Sequence, residues 1–291
     1  MIETEHILDK VKSVPPLSPG ATRLLSIMGK QNRSLKEVSQ TVMADGALTA
    51  NILKVVNSAA FNLSREIANV EEAIVYLGDM KIMAIAMANS DGAAYNSELH
   101  GYEGTRGELG RHCLWTGLAA RELAGRAKPV VDPGLAFTSG ILHDIGKAVI
   151  SDFLVGTASD IISNLENDDS VDYIQAENHL LGTDHCEVGA ELSRRWQLPE
   201  SLRPGIRYHH TPAAAAAEDR PLAYIVHLAD MLAMMQGYGT GCDALQYKLD
   251  DNYREFIRLE SRELEEIVLK LQLEFSAIAS TLFDGGQGSE T

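Results

Sequence analysis

The sequence predicts an all-α protein on three observations. Apolar residues recur at steps of three and four positions along nearly the whole chain, which is the period of an amphipathic helix. Aromatic residues make up only 6% of the chain, and runs of β-branched residues, which favour strands, are rare. Short polar segments rich in Gly, Pro, Asn and Asp separate the periodic stretches. We therefore expect short helices joined by tight turns.

The first hundred residues predict about five short helices, and we expect residues 1–100 to form a small N-terminal helical bundle. The apolar positions are spaced as on one helix face, and they fall in these groups: Leu24, Leu25, Ile27 and Met28; Leu35, Val38, Val42 and Met43; Leu48, Ile52, Leu53, Val55 and Val56; Ile74, Leu77, Met80 and Met83. Clusters of proline, glycine and asparagine between the groups are typical of turns.

A polar, glycine-rich connection at residues 90–107 is expected to join the bundle to a larger helical domain at 101–283. Start signals support two helices of that domain. Asp184 with Glu187 three residues later resembles a capping box, and Pro221 suits a first helical position. Residues 284–291 are expected to be a disordered tail. Periodicity predicts the helices of the larger domain at 106–127, 134–146, 148–166, 170–181, 184–196, 200–209, 221–236 and 250–283.

The net charge of the chain limits the kinds of partner that it is expected to bind. The chain has 291 residues and a formal net charge of −16, from 25 Lys and Arg against 41 Asp and Glu. So acidic a chain repels phosphate backbones and anionic lipid at long range. We therefore expect no nucleic-acid partner and no membrane partner, whereas a local pocket for a small phosphate ligand stays allowed.

Cysteine usage and the N-terminal residues indicate the compartment. Cys113, Cys186 and Cys242 are scattered and show no CxxC spacing, so a disulfide framework and a thiolate zinc site are both disfavoured. The N-terminus lacks the basic start and apolar run of a signal peptide, and no stretch reaches the roughly 18 apolar residues of a membrane span. The sequence therefore predicts a soluble, cytoplasmic protein.

Ionisable side chains occupy positions where helical periodicity expects core residues. His112 shares a helix face with Leu109 and Thr116, and Asp230 shares one with Val226. A buried carboxylate is costly without a cation or several hydrogen-bond donors, so these positions need partners. The whole set is His112, His143, Asp144, His185, His209, His210 and Asp230.

Imidazole nitrogens and carboxylate oxygens together suit divalent ions such as Fe, Mn, Zn, Co or Ni. A carboxylate can bridge two ions about 3.5–4 Å apart, which can clamp a phosphoryl group, and Asp144 beside His143 suits that role. Each residue taken singly has a plainer interpretation. A lone buried histidine is more often a core residue with satisfied hydrogen bonds, and His209–His210 before a proline is more often a surface turn. Asp230 alone is more often an inward cap or a partner of His227. The combination favours a metal site.

The order and spacing of these residues resemble the HD superfamily, whose pattern runs His, His-Asp, Asp. The segments that carry the resemblance are His112, ILHDIGK at 141–147, TDHCEVGAELSRRWQLP around His185, IRYHH at 206–210 and VHLAD at 226–230. Upstream, VPPLSPGATRLL, VMADGALTANILKVVNSAAF and IANVEEAIVYLGDMKI resemble the HDOD family, the HD-related output domain of bacterial signalling proteins. The resemblance covers about residues 10–240.

This resemblance implies a small helical bundle packed on an HD-type helical domain, with one or two divalent ions (Fe, Mn, Zn or Ni) in the HD-type site. Asp144 and Lys147 would be catalytic in an active enzyme, with Lys147 contacting a phosphate. Glu108 is a further candidate, either for a third ion or for orienting His112; the alternative is a solvated carboxylate in the first helical turn. The implied ligands are His112, His143, Asp144 and Asp230 for one ion, and bridging Asp144 with His185 and His209 or His210 for the second.

For function, the resemblance implies a bacterial signal-transduction or regulatory module that binds divalent metal and acts through signalling protein partners. The alternative is a metal-dependent phosphohydrolase acting on a nucleotide or other phosphate ester, as in the active HD relatives. A purely structural interaction domain is a third hypothesis. A cyclic-dinucleotide esterase of the HD-GYP type is disfavoured, because TPAAAAAEDRP follows His210 without the Glu and Gly-Tyr-Pro elements of that family. Oligomeric state stays open.

Overall fold

The computed structural model describes residues 4–15, 17–28, 34–58, 61, 63–88, 93–159, 161–162, 172–244 and 246–283. Regular secondary structure in these ranges is helical, and strand-like pairing there is limited to isolated bridges. The all-α prediction is therefore confirmed. Among the described helices, none combines the length and apolar character that crossing a bilayer requires. The tail expected at 284–291 lies outside the described residues.

The N-terminal part of the described chain has six α-helices rather than about five. Gly78, at a φ of 79° that favours glycine, separates the fifth of these helices from the sixth. Side chains of Ser34, Asp45 and Asn69 cap the third, fourth and fifth helices by accepting hydrogen bonds from first-turn amides. The helices are α1 (Thr4–Ser13), α2 (Pro19–Met28), α3 (Leu35–Met43), α4 (Gly46–Val56), α5 (Val70–Leu77) and α6 (Asp79–Ala88).

The larger helical part is arranged around one central helix, α7 (Glu108–Ala124), which is buried along most of its length. Helices α8 (Pro133–Leu142), α13 (Arg220–Met235) and α14 (Ser261–Leu282) pack directly on it. The other helices whose bounds fall within the described residues are α9 (Lys147–Ile150), α10 (Tyr173–Leu181), α11 (His185–Arg195) and α12 (Arg203–Arg207). Short 3₁₀ turns lie at Ala93–Asn96, His100–Tyr102, Ser151–Phe153, Glu200–Leu202, Pro212–Ala214 and Asp251–Glu255.

Two glycines set the distance between α7 and α8. A Cβ on Gly140 would lie 2.8 Å from the Cα of Gly117, closer than Cβ atoms approach other atoms. The two backbones therefore meet without intervening side chains, which brings His112 on α7 beside His143 at the end of α8.

Two expected helices differ from their periodic patterns. The helix expected at 148–166 is interrupted: α9 is followed by a 3₁₀ turn and by Gly156, at a φ of 81°, and the chain is helical again at 158–159 and 161–162. Residues 163–166 lie outside the described residues. The expected helix at 250–283 begins only at Ser261. Residues just before it leave the helical path because the Phe256 carbonyl accepts a hydrogen bond from the Lys128 amide, a partner outside the helix.

The N-terminal helices pack on the larger part, as the fold prediction expected. Helix α1 contacts α9 and α11, and α2 and α6 contact α8. Buried apolar residues from both parts belong to one contiguous core. An exposed ion pair between Lys10 and Asp152, 3.1 Å long, also joins the two. The predicted division near residue 100 stays a prediction.

Candidate metal centre

The structure brings all the predicted ligand residues into one buried cluster. Their side chains are no more than 4% exposed. The cluster consists of His112 from α7, His143 and Asp144 from the turn after α8, His185 from the start of α11, His209 and His210 from the segment after α12, and Asp230 from α13. We call these residues the His/Asp cluster.

Local sequence explains why His185 and Asp144 meet. Asp184 caps α11 by accepting a hydrogen bond from the Glu187 amide, so His185 is the first residue of that helix. This is half of the expected capping box, since the Glu187 carboxylate binds Thr183 and an arginine instead. Gly146 lets the chain after Asp144 lie against α11, because a Cβ there would be 1.9 Å from the His185 carbonyl oxygen.

Each of four imidazoles is oriented by a partner on its Nδ1 atom. The Nδ1 atoms of His112, His143 and His209 lie 2.6, 2.7 and 2.9 Å from the carbonyl oxygens of Tyr238, Gly140 and Ile206. Nδ1 of His185 lies 2.8 Å from a carboxylate oxygen of Glu177. With Nδ1 engaged in this way, Nε2 is the atom that each of the four rings can offer to a metal ion once it carries no proton.

Asp144 lies between two pairs of these imidazoles. Its Oδ2 atom is 3.4 Å from Nε2 of His112 and 3.5 Å from Nε2 of His143. Its Oδ1 atom is 3.3 Å from Nε2 of His185 and 3.5 Å from Nε2 of His209. One carboxylate thus presents a different oxygen to each half of the cluster, as a bridging ligand would.

Asp230 completes the first half of the cluster, and His210 lies at the edge of the second. Oδ1 of Asp230 is 3.1 Å from Nε2 of His112 and 3.6 Å from Nε2 of His143. Nδ1 of His210 is 3.9 Å from Oδ2 of Asp230, which is too far for a hydrogen bond.

Several buried polar atoms of the cluster make no hydrogen bond of good geometry within the described chain, although Oδ2 of Asp144 has an ion-pair contact with Lys147. Such atoms are uncommon in folded proteins, because burial without a partner costs about 1–3 kcal/mol each. A divalent ion would satisfy them together, and imidazole with carboxylate is a donor set that such ions accept. The residues present therefore fit a divalent metal. The atoms are both carboxylate oxygens of Asp144, Oδ2 of Asp230, Nε2 of His185 and both ring nitrogens of His210.

Electrostatics in the cluster favour ionised carboxylates. Burial alone would raise the pKa of Asp144, but His143 and Lys147 outweigh it and hold that pKa well below its usual range. Burial alone would lower the pKa of His112, but the carboxylates of Asp144 and Asp230 raise it to about 9. Burial lowers the pKa of His209 to about 4, so that ring is neutral at pH 7 and ready to bind metal.

Lys147 lies at the margin of the cluster and is fully engaged. Its Nζ is 2.8 Å from Oδ2 of Asp144, while its hydrogen bonds go to Oδ2 of Asp243 at 2.6 Å and to the Thr240 hydroxyl at 3.0 Å. Burial opposes the charge, yet the two carboxylates keep the pKa of Lys147 above its usual value. The ammonium is therefore charged and enclosed.

Comparison with known proteins identifies the family. A model of the HDOD domain matches residues 14–212 of the chain. The chain belongs to the HDOD family.

Two curated relatives align with this HDOD protein over more residues than the family model matches, at 26% identity each. An uncharacterized protein of Treponema pallidum (strain Nichols) aligns over 284 residues, or 93% of this chain and 51% of that protein. Ribonuclease Y of Aquifex aeolicus (strain VF5) aligns over 244 residues, or 80% of this chain and 35% of that protein. The chain thus spans about half of the first relative and a third of the second.

Solved structures share the fold of this HDOD protein at low sequence identity. An HDOD domain protein of unknown function from Geobacter sulfurreducens has a TM-score of 0.68 at 23% identity, with 96% of each chain covered. A candidate signal transduction protein from Marinobacter aquaeolei VT8 has a TM-score of 0.75 at 21% identity, over 96% of this chain and 65% of that one. A candidate phosphohydrolase from Shewanella amazonensis SB2B has a TM-score of 0.64 at 24% identity, over 95% of this chain and 97% of that one.

Glu108 of the HDOD chain has a local role rather than a place in the cluster. Its carboxylate accepts hydrogen bonds from the amide and the hydroxyl of Thr105, at 2.9 and 2.7 Å. This agrees with the first-turn position of the alternative, although the residue is half-buried rather than solvated. None of the described hydrogen bonds of this carboxylate goes to His112. His227 on α13 places its Nδ1 2.6 Å from the His209 carbonyl oxygen and so supports the segment that carries His209.

Sequence reasoning missed Glu177, which is fully buried on α10. Besides contacting Nδ1 of His185, its carboxylate accepts hydrogen bonds from the His185 amide at 2.9 Å and from the Tyr102 hydroxyl at 2.6 Å. A signal was present: Glu177 lies four residues from both Tyr173 and Leu181, on the apolar face of its helix. That is the pattern that indicated Asp230.

Proposed function

We propose that this HDOD protein is a bacterial signal-transduction module that binds divalent metal in the His/Asp cluster and acts through protein contacts. The observation that carries the metal site is the convergence of buried ligand atoms on Asp144, whose two carboxylate oxygens each lie 3.3–3.5 Å from the Nε2 atoms of two imidazoles. Those four imidazoles are oriented by the partners of their Nδ1 atoms. A site whose ligand atoms are oriented in advance binds an ion at low reorganisation cost.

The proposed ligands fall into two halves that share Asp144. His112, His143, Asp144 Oδ2 and Asp230 would hold one ion. Asp144 Oδ1, His185 and His209 would hold the other, with His210 at its edge. Four distances support this division. Oδ2 of Asp144 is 3.4 and 3.5 Å from the Nε2 atoms of His112 and His143, and Oδ1 is 3.3 and 3.5 Å from those of His185 and His209.

Burial of the cluster favours a regulatory role over turnover. A catalytic metal site keeps a position open for water or substrate. Here the ligand side chains are enclosed, and Lys147, the residue proposed to contact a phosphate, is held by Asp243. Protein contacts are supported by large apolar side chains exposed on the N-terminal helices, including Leu35 at 51% and Val75 at 68%. The Marinobacter neighbour, a candidate signal transduction protein, agrees with this role.

The second proposal is a metal-dependent phosphohydrolase with Asp144 as bridge and Lys147 as phosphate contact. Its support is the bridging position of Asp144, because two ions sharing a carboxylate would polarise a phosphate ester. The Shewanella neighbour is a candidate phosphohydrolase, and one curated relative is a ribonuclease. An RNA substrate is disfavoured by the net charge of −16.

The test measures metal first and turnover second. Protein purified without chelator is analysed by elemental mass spectrometry, beside Asp144→Asn and the control Asp251→Asn, whose carboxylate is exposed and paired with Arg254. Bound Fe, Mn, Zn or Ni in wild type and control but not in Asp144→Asn supports the metal site. Absence of metal from wild type after reconstitution overturns it. Hydrolysis of a chromogenic phosphodiester that needs metal and disappears in Asp144→Asn would favour the second proposal.

A further inference from the structure

A segment after α13 covers the His/Asp cluster. We call residues 238–244, together with 246 and 247, the strap. It begins beyond residue 212, where the family match ends. The Tyr238 carbonyl oxygen is 2.6 Å from Nδ1 of His112, and the ring of Tyr247 stacks on His210 with centroids 3.8 Å apart and planes at 16°. The strap therefore contacts both halves of the cluster.

One ion pair joins the strap to the cluster. Asp243 is fully buried, and its carboxylate accepts hydrogen bonds from Lys147 at 2.6 Å, from the Tyr247 hydroxyl at 2.7 Å and from the Thr240 hydroxyl at 2.9 Å. A buried carboxylate is unstable without a counter-charge, and Lys147 supplies it. The Asp243–Lys147 pair is therefore a buried charged contact between the strap and the residue beside Asp144.

A glycine in open space precedes the strap. Gly237 has a φ of 84°, and a Cβ there would meet no atom within 4 Å. A glycine in the left-handed region with free space around it can change its dihedral angles widely, as a hinge position requires. Gly241, at a φ of 120° inside the strap, instead lies against the Tyr102 carbonyl oxygen and is a packing contact of the closed state.

We propose that the strap is a gate over the metal centre, latched by Asp243 on Lys147 and opened when an oxyanion such as phosphate takes the place of the Asp243 carboxylate. This inference rests on the proposed function. A carboxylate and a phosphate present the same kind of charged oxygen to an ammonium, so they compete for Lys147. Opening would expose His112 and His210 and would make the metal centre accessible from solvent.

The latch is tested by hydrogen exchange, which needs no metal. Amides of the strap, including the Cys242 amide that donates to the Tyr102 carbonyl at 2.7 Å, are followed by mass spectrometry. Asp243→Asn keeps the shape and removes the charge, and Asp251→Asn removes the same charge from an exposed neighbouring site. We expect about tenfold faster strap exchange in Asp243→Asn, because truncating one member of a buried charge pair is costly. Exchange in α7 and in Asp251→Asn should match wild type.

Strap exchange in Asp243→Asn equal to that of wild type would overturn the latch. If Asp243→Asn does not fold, Tyr247→Phe removes only the hydroxyl that binds Asp243, and faster strap exchange is expected there too; unchanged exchange in that variant counts against the latch. Inorganic phosphate should speed strap exchange in wild type, and no change at saturating phosphate would overturn the competition for Lys147.

The gate itself is tested on metal-loaded protein by the rate at which a chromogenic chelator removes the ion. We expect removal about tenfold faster from Asp243→Asn than from Asp251→Asn. Equal rates would overturn the gate. If no variant binds metal while Asp243→Asn still shows fast strap exchange, the proposed metal function fails and the latch stands, so the two failures are distinguishable.

Discussion

The Nε2 atoms of His112 and His143 lie 3.1 Å apart, while the Nδ1 atom of each ring faces a backbone carbonyl oxygen. A ring that donates from Nδ1 has a lone pair at Nε2, and two lone pairs at this distance repel each other. A positive charge between or beside them removes the repulsion. A proton on His112 does so in the metal-free protein, since the pKa of that ring is raised to about 9 by Asp144 and Asp230 against the effect of burial. A divalent ion would do so in the loaded protein.

Replacing Asp230 by Asn should weaken binding in the His112 half of the cluster. The amide keeps the shape of the side chain but cannot supply the negative charge that a divalent ion requires. We expect the dissociation constant for that ion to rise by about 100-fold or more, beyond the effect of typical changes outside the ligand set. Metal competition against a chelator measures it. The matched control is His100→Gln at an exposed histidine, and equal metal affinity in Asp230→Asn and wild type would refute the ligand assignment.

Metal affinity should continue to rise with pH above the pH at which free imidazole has lost its proton. Free imidazole loses its proton near pH 6.5, so its competition with metal would end near neutrality. In this protein the pKa of His112 is about 9, so the metal-free site holds a proton up to that pH and metal must displace it. Metal affinity therefore increases with pH, by about tenfold per pH unit for each proton displaced, up to about pH 9.

Chelator competition across that pH range measures this dependence, and His209 provides an internal contrast. The pKa of His209 is lowered by burial to about 4, so that ring contributes no proton release near neutrality. Calorimetry in buffers of different ionisation enthalpy counts the protons released. An affinity that stops rising at pH 7, or binding with no proton release at pH 8, would be incompatible with a proton on His112.

The sequence was sufficient for the helices and for the His/Asp cluster because both leave periodic signals. An ionisable residue on an apolar helix face is conspicuous at His112 and Asp230, and each is buried as expected. Breaks in helices were harder to predict. Gly156 interrupts the helix expected at 148–166, and the Lys128–Phe256 hydrogen bond lies just before the late start of α14. The first depends on a single dihedral angle and the second on a distant residue.

The strap was beyond prediction for a different reason. Its residues have no helical or strand period, and its contacts are long-range: Asp243 binds Lys147 across 96 positions and Tyr238 contacts His112 across 126. Such pairs are determined by the packed fold and leave no local pattern. Lys147 was expected at the site, but its enclosure by Asp243 and Thr240 could be found only from the structure.

Glu177 should act as a positioning residue for His185, and its loss should affect one half of the cluster only. Its carboxylate fixes Nδ1–H of His185 and so presents Nε2 to the metal. In Glu177→Gln we expect affinity at the His185 half to fall about 10–100-fold. Occupancy at limiting metal should therefore fall from two ions toward one, while the His112 half stays filled.

Titration with Co²⁺, followed by its absorption spectrum, separates the two halves because each coordination sphere has its own bands. Glu191→Gln is the control, since Glu191 pairs only with the exposed Arg194 among the described contacts of its side chain. A Glu177→Gln protein that loses both ions together would indicate general unfolding of the site rather than positioning of His185.

Gly146 should be the backbone position on which the cluster depends most. A Cβ there would lie 1.9 Å from the His185 carbonyl oxygen and 2.8 Å from the Gly189 nitrogen, and neither backbone atom can move aside cheaply. Gly146→Ala should therefore destabilise the protein by about 1–3 kcal/mol and separate Asp144 from His185. Gly46→Ala is the matched control, since a Cβ on Gly46 meets nothing within 4 Å and Ala there should be neutral or stabilising by about 0.4–1 kcal/mol. Urea unfolding in excess chelator measures both variants without a contribution from metal, and equal midpoints would show that α9 and α11 can separate without cost.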